Sequence, residues 1–323
     1  MTSLKKELQH AKQLIDTHSS ILLTTHKHPD GDALGSLCAM IHYLKKCNKK
    51  VTAVSDIVPE YLHFLPHVHE ITTNIEDLDP KQFDLIITLD FGDLKRSPIQ
   101  QVLEESIKKS IPLINVDHHS FNDRFGTVNV IDTSASSTTA LLYEFFDVNN
   151  IEIDEHMSTS LLAGILTDTG NFSNSATNRS SLHYASELLK RGGRFNTITS
   201  NTIAHKPLGI LNLWGTLLQR LSFNEKYNIA YTVITQDDLQ KAQVQNGGVD
   251  GIANFLTCID GLKAVMLLKE TEKGTIKGSL RSVCDTMDVS AVARALGGGG
   301  HKKAAGFEIE GTIKKENMKW LIV

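Results

Sequence analysis

The sequence lacks any apolar run long enough to cross a membrane or to serve as a secretory leader. Residues 1–19, where a leader would sit, instead interleave apolar side chains with Lys5, Lys6, Glu7, Lys12 and Asp16, so neither targeting nor membrane contact is expected. Positive charge is also short: 33 Lys and Arg against 37 Asp and Glu leave a formal charge of -4. That excludes a protein that holds long DNA or RNA mainly by neutralising many phosphates, so any nucleic-acid partner must be short or gripped locally. Cysteine is scarce. Cys38, Cys47, Cys258 and Cys284 show no CxxC spacing, which argues against a thiolate zinc module or a disulfide framework. Buried, reduced thiols and a cytoplasmic location are the expectation. There is no internal repeat and no low-complexity tract.

What is present is a 323-residue chain, 41% hydrophobic, with room for two domains. Leu4, Leu8, Ala11, Leu14 and Ile15 recur at helical spacing before the short apolar run 21–25, which reads as a buried strand. A helical stretch at 33–47 leads to strand-like runs at 51–55, 84–89 and 111–116. Alternating strands and helices predict an α/β fold with a parallel, doubly covered sheet. Helical patterns at 136–146, 153–166 and 180–190 end at Gly192-Gly193. The polar stretch after them, with Pro207, reads as a connector. The expected organisation is a first domain at 1–193, a linker at 194–210 and a smaller, distinct α/β domain at 211–323.

The ionisable residues fall at informative places. His26, Asp30 and Asp32 follow the strand ending at Thr25, Asp90 ends the strand begun at Asp84, and Asp117, His118 and His119 follow the strand ending at Val116. In an open parallel sheet the carboxyl ends of strands line one crevice, so these groups are expected to converge. Asp168, where a helical run breaks, is placed there by pattern. Four carboxylates cannot stay ionised within a few ångströms without counter-charge. Two divalent cations match Asp30, Asp32, Asp90 and Asp168, while neutral His26 and His118 add nitrogen donors. Oxygen and imidazole without thiolate favour Mn2+, with Mg2+, Fe2+ or Co2+ as alternatives. Three histidines at 63, 67 and 69 read as a solvated segment, and the hydroxyls of 134–139 chiefly as a helix cap.

The segments 26–36, 89–90, 117–119 and 167–170 resemble, in order, the four motifs of the DHH phosphoesterases, and 298–306 is similar to the DHHA1 signature. Size and layout resemble the compact bacterial oligoribonuclease and pAp-phosphatase branch. The resemblance implies that one ion is held by His26, Asp30, Asp90 and Asp168, and the other by Asp32, Asp90, His118 and Asp168. It further implies that Asp117 orients a histidine and that His119 faces the phosphate as a donor. Gly299, Gly300 and His301, with Arg281, would hold substrate phosphate from the second domain, placing the active site in a cleft between domains. Glycines there let backbone N–H groups approach an anion closely.

The activity so implied is Mn-dependent hydrolysis of short RNA or DNA oligonucleotides or linear dinucleotides to mononucleotides, with dephosphorylation of pAp. Two alternatives stand beside it: a pyrophosphatase or polyphosphatase of the wider DHH group, and a nucleotide-sensing module whose metals only hold a ligand. A homodimer is left open.

Overall fold

The computed structural model describes residues 3–76, 78–204, 208–242, 251–300, 302–316 and 319–323. The chain divides into two units, Met1–His205 and Lys206–Val323. The first begins with helix α1 (Ser3–Thr17), whose Leu8, Ala11 and Ile15 form one buried stripe. Then come β1 (Ser20–Thr24), α2 (Gly31–Lys46), β2 (Lys50–Val54), β3 (Ile71–Thr72), β4 (Leu85–Leu89), α3 (Gln100–Lys108), β5 (Leu113–Asp117) and β6 (Val128–Ile131). Helices α4 (Thr138–Val148), α5 (Glu155–Asp168), α6 (Arg179–Lys190) and α7 (Phe195–Thr199) follow.

The six strands form one parallel sheet in the order β3-β2-β1-β4-β5-β6. Alternate residues feed two cores. Ile21, Leu23, Ile87, Leu89, Ile114 and Val116 join the core that holds α2 and α5, whereas Leu22, Ile86 and Leu113 pack with Phe83, Phe91 and Leu103 on the opposite face. With both faces covered, each strand reads as a continuous apolar run, as the sequence predicts. From β1 the chain winds to β2 on one side, and from β4 to β5 on the other, so the carboxyl ends of β1 and β4 flank the switch point of the sheet.

Helices α2 and α5 lie against each other at glycine. A Cβ on Gly35 would stand 2.6 Å from the Ser160 carbonyl, and one on Gly164 would stand 2.5 Å from Asp32 Oδ1. Only the missing side chains let these backbones approach so closely.

The second unit holds α8 (Leu208–Gln219), β7 (Ser222–Asn224), β8 (Ile229–Ile234), α9 (Gln236–Ala242), α10 (Ile252–Phe255), β9 (Ala264–Glu270), β10 (Thr275–Ser282), α11 (Val289–Ala295), β11 (Gly299–Gly300) and β12 (Ala304–Glu310). Its mixed sheet has the order β11-β12-β10-β9-β8-β7, and a two-stranded sheet pairs β13 (Ile313–Glu316) with β14 (Lys319–Ile322). Leu217, Ala230 and Ile234 centre one core cluster, and Val233, Leu280 and Phe307 another.

Two expectations need correcting. The stretch 194–210 is not a plain connector: its first part forms α7 and a π-helical turn (Ser200–Ala204). Phe195 and Ile198, three residues apart on one helical face, pack on the first unit's core. The cysteines are not uniformly buried. Cys38 is, but Cys47 and Cys284 are half-buried and Cys258 is exposed; all four are free thiols. Among the described residues no helix is long and apolar enough to cross a membrane.

Candidate metal centre

The strand β1 delivers His26, which is buried, and the turn after it delivers Asp30. Asp30 caps α2, its Oδ1 accepting from the N–H groups of Asp32 (3.0 Å) and Ala33 (3.1 Å), which rigidifies the turn. His26 Nδ1 lies 2.8 Å from the Lys27 carbonyl, so that nitrogen donates and Nε2 is turned toward Asp90 Oδ2, 3.4 Å away.

Asp90 follows β4 with φ +70, a left-handed conformation that side chains other than glycine, Asn and Asp seldom adopt. The ladder continues through it, Asp90 N–H donating to the Val116 carbonyl at 2.9 Å. Strain of this kind persists where surrounding structure enforces it, and it clusters at functional sites. After β5, His118 Nε2 stands 3.2 Å from Asp168 Oδ2 and 3.6 Å from Asp90 Oδ1. Two donor sets result: His26, Asp30 and Asp90 offer ligand atoms within 4.8 Å of one another, as do Asp32, His118 and Asp168. A third grouping, Asp90, His118 and His119, links the two. Strands β1, β4 and β5 and the end of α5 thus bring together the residues that the pattern placed there.

Asp117 is fully buried and anchors His119, accepting from its Nδ1 at 2.7 Å and its N–H at 3.2 Å, while Asn122 Nδ2 donates to the second oxygen at 2.7 Å. The histidine that Asp117 orients is therefore His119.

Electrostatics here are those of crowded acids. Burial pushes the Asp32 carboxyl well above the carboxylate range, the charges of Asp90 and Asp30 add to this, and bonds from Thr139 only partly offset it. Asp168 is raised too, by burial and then by Asp32, Asp30 and Asp90. Burial would lower His26, but its bond to Asp90 and the charges of Asp90 and Asp30 prevail and raise it to about 9. Burial likewise opposes ionisation of Asp90, yet His26, His118 and His119 hold its carboxyl below the usual range. His119 is raised because Asp117 and Asp90 outweigh burial. A divalent cation relieves this frustration directly, and donors that are all carboxylate oxygen or imidazole nitrogen fit one of hard or borderline character.

The hydroxyl-rich stretch before α4 does more than cap it. Ser137 is the cap, its Oγ accepting from the Ala140 N–H at 3.0 Å. Thr138 donates its hydroxyl to Asp90 Oδ1 (2.9 Å) and its N–H to Asp32 Oδ2 (2.6 Å), and Thr139 donates both N–H (2.9 Å) and hydroxyl (2.6 Å) to Asp32 Oδ1. Sequence alone does not single out these two threonines, because a helix cap and a carboxylate clamp present the same hydroxyls.

In the second unit Arg281 lies opposite Ala304 across β10 and β12, and Gly300 opposite Ala305 across β11 and β12, so arginine and glycine turn share one end of the sheet. Arg281 Nε donates to Asn254 Oδ1 at 2.8 Å. Gly300 has φ +134, and a Cβ there would lie 2.6 Å from Ala305 Cα, whereas Gly299 opens onto free space. His301 lies outside the described residues.

Fold and site together define a hydrolase whose acids and imidazoles cluster at the switch point of a parallel sheet. The chain matches the DHH family, N-terminal domain, over residues 20–165 and the DHHA1 domain over residues 226–322, and it belongs to the DHH/DHHA1 phosphoesterase family. It is 31% identical over 301 residues to the bifunctional oligoribonuclease and PAP phosphatase NrnA of Thermus thermophilus, spanning 93% of this chain and 87% of that one. The protein of the same name from Bacillus subtilis is 28% identical over 311 residues, 95% of this chain and 93% of the other. Among solved structures, an exopolyphosphatase-related protein from Bacteroides fragilis superposes with a TM-score of 0.87 at 26% identity, covering 97% of this chain and 94% of its own.

Proposed function

We propose that the protein is a phosphoesterase dependent on two divalent cations, Mn2+ for preference, that hydrolyses short oligoribonucleotides or linear dinucleotides to mononucleotides and removes phosphate from pAp. The observation that carries this reading is the pair of donor sets joined at Asp90 and His118. One cation is assigned to His26, Asp30, Asp90 and Asp168, and the other to Asp32, Asp90, His118 and Asp168. The substrates follow from relatives named for oligoribonuclease and PAP phosphatase activity.

When bound, such ions supply charge neutralisation at the phosphoryl oxygens and activation of water near neutral pH. The chain's own residues do the positioning. His119, held by Asp117, donates to a phosphoryl oxygen, and the carboxylates of Asp117 and Asp90 raise its pKa against the effect of burial, which favours the donor form. Thr138 and Thr139 fix the oxygens of Asp90 and Asp32, so those carboxylates need not reorganise during reaction. Arg281 and the turn at Gly299 and Gly300, which share one end of the second unit's sheet, hold substrate phosphate.

The test is incubation with Mn2+ and pAp, a labelled dinucleotide or pyrophosphate in parallel. Phosphate from pAp and mononucleotides from the dinucleotide are expected, both lost in Asp90→Asn. Hydrolysis of pyrophosphate alone would replace this reading with the polyphosphatase one, which the likeness to the exopolyphosphatase-related protein of Bacteroides fragilis favours.

A further inference from the structure

Three histidines meet away from the acidic crevice. His42 comes from the last turns of α2, His67 from the loop before a short 3-10 turn (Val68–Glu70), and His156 from the first turn of α5. Their ring nitrogens lie within 4.8 Å of one another. The His42 and His156 rings stack with centroids 5.4 Å apart, and His67 is held at φ +64, a left-handed conformation uncommon for a side-chain-bearing residue. His67 is thus not part of a solvated segment: its side chain is only 19% exposed.

The hydrogen bonds define which nitrogens are available. His42 Nε2 lies 2.7 Å from Asp154 Oδ2, and His67 Nδ1 lies 2.8 Å from Glu70 Oε1. An ionised carboxylate only accepts, so each of these nitrogens carries the hydrogen. The remaining nitrogens, His42 Nδ1 and His67 Nε2, face each other at 2.8 Å. On neutral rings both present lone pairs, which repel unless an electrophile stands between them. Imidazole backed by a carboxylate on its far nitrogen is the arrangement that fixes tautomer and raises basicity in histidine metal sites. Both carboxylates are themselves fixed, Asp154 by Lys46 at 3.1 Å and Glu70 by Lys45 at 2.8 Å.

We propose that His42, His67 and His156 bind one divalent transition ion of the Zn2+ type, distinct from the cations of the acidic crevice, with a fourth position open to solvent beside the exposed His156. The grouping among the described residues is of three imidazoles, with Asp154 and Glu70 engaged at the far ring nitrogens of His42 and His67, and such a donor set favours Zn2+, Ni2+ or Cu2+ over Mn2+ or Mg2+. In tetrahedral geometry with metal–nitrogen bonds near 2.0–2.1 Å, two ligand nitrogens stand about 3.3 Å apart. Seating the ion therefore needs the His42 and His67 rings to part by only about half an ångström.

The location gives such an ion a structural consequence. At 1.5 Å rise per residue, His42 lies about 15 Å along α2 from Asp32, and His156 about 18 Å along α5 from Asp168. The same two helices that carry acids at one end would be pinned together by the ion at the other.

Equilibrium dialysis of the full chain against Zn2+ in excess Mn2+ tests this, comparing the wild type with His156→Ala and His67→Asn. His156 is exposed, and Asn tolerates the left-handed backbone at 67, so both variants keep the fold. The wild type should retain one more equivalent of Zn2+ than either variant. Co2+ as probe should give visible d–d absorption that both variants lose. Asp154→Asn, which keeps the oxygen that caps α5, should weaken Zn2+ binding about 10- to 100-fold. Equal Zn2+ content and equal Co2+ spectra in the wild type and both histidine variants would overturn the proposal, whatever happens to phosphoesterase activity.

Discussion

Thr139 grips Asp32 twice, through its backbone N–H at 2.9 Å and its hydroxyl at 2.6 Å, both on Oδ1. The start of α4 therefore holds a carboxylate of α2 that burial and neighbouring charge push toward protonation. A helix N-terminus is well suited to this, since its free N–H groups and its dipole both favour negative charge.

Removal of the adjacent hydroxyl should be felt at the cation site and not in the fold. Thr138→Val deletes the bond to Asp90 Oδ1 and preserves side-chain shape. The expected result is a roughly 10- to 100-fold loss of Mn2+ affinity or activity with an unchanged circular dichroism spectrum. Unaltered Mn2+ dependence would show that Asp90 needs no such support.

Asp90→Asn isolates charge from backbone. Asn accepts the φ of +70 as Asp does, so the variant should fold. Turnover should be abolished, because the residue proposed to serve both cations has lost its charge. Asp90→Val is expected to lose stability as well, since a β-branched side chain resists that conformation. Urea unfolding of both variants checks the contrast.

Gly164→Ala would force a Cβ to within 2.4 Å of the Thr139 side chain and 2.5 Å of Asp32 Oδ1. Overpacking of this kind costs about 1–3 kcal/mol. A lowered unfolding midpoint together with weakened cation binding is expected; a midpoint equal to that of the wild type would mean that α2 and α5 separate freely.

The metal-free protein should lose stability between pH 6.5 and about 9. His26 is raised from 6.5 to about 9, so its contribution is complete below 6.5 and disappears as pH climbs through the folded value. Asp32 and Asp168 are raised as well, so the folded chain binds protons that the unfolded chain has released, and their effect has the same sign. Asp90, held low, matters only on acidification. Saturating Mn2+ should flatten the decline in urea midpoint; a metal-free midpoint that rises over this window would contradict the charge balance.

Arg281→Ala should raise KM about 10- to 100-fold, the worth of a charged hydrogen bond, and leave Mn2+ binding untouched. An unchanged KM for both pAp and dinucleotide would remove Arg281 from the substrate site.

Much of the first unit was legible because β1, β4 and β5 are buried on both faces and so read as apolar blocks with acids at their carboxyl ends. Asp168 was legible as the residue where the α5 pattern stops. Other features were not, for physical reasons. The φ of Asp90 is imposed by the tertiary structure, since Asp itself demands no left-handed turn. Helix α7 is one turn long, and a short amphipathic helix near Pro207 resembles a loop. His42, His67 and His156 sit on separate elements, and each alone is an ordinary surface-side histidine until α2 and α5 bring two of them together. Short strands such as β3, β7 and β11 carry too few residues to show a period.

The most direct measurement is an anomalous difference map at the manganese edge from crystals grown with Mn2+. Two peaks about 3.5–4 Å apart are expected, one against His26, Asp30 and Asp90 and the other against Asp32, His118 and Asp168. A map with no peak among these side chains, collected at saturating Mn2+ and neutral pH, would contradict the two-cation site.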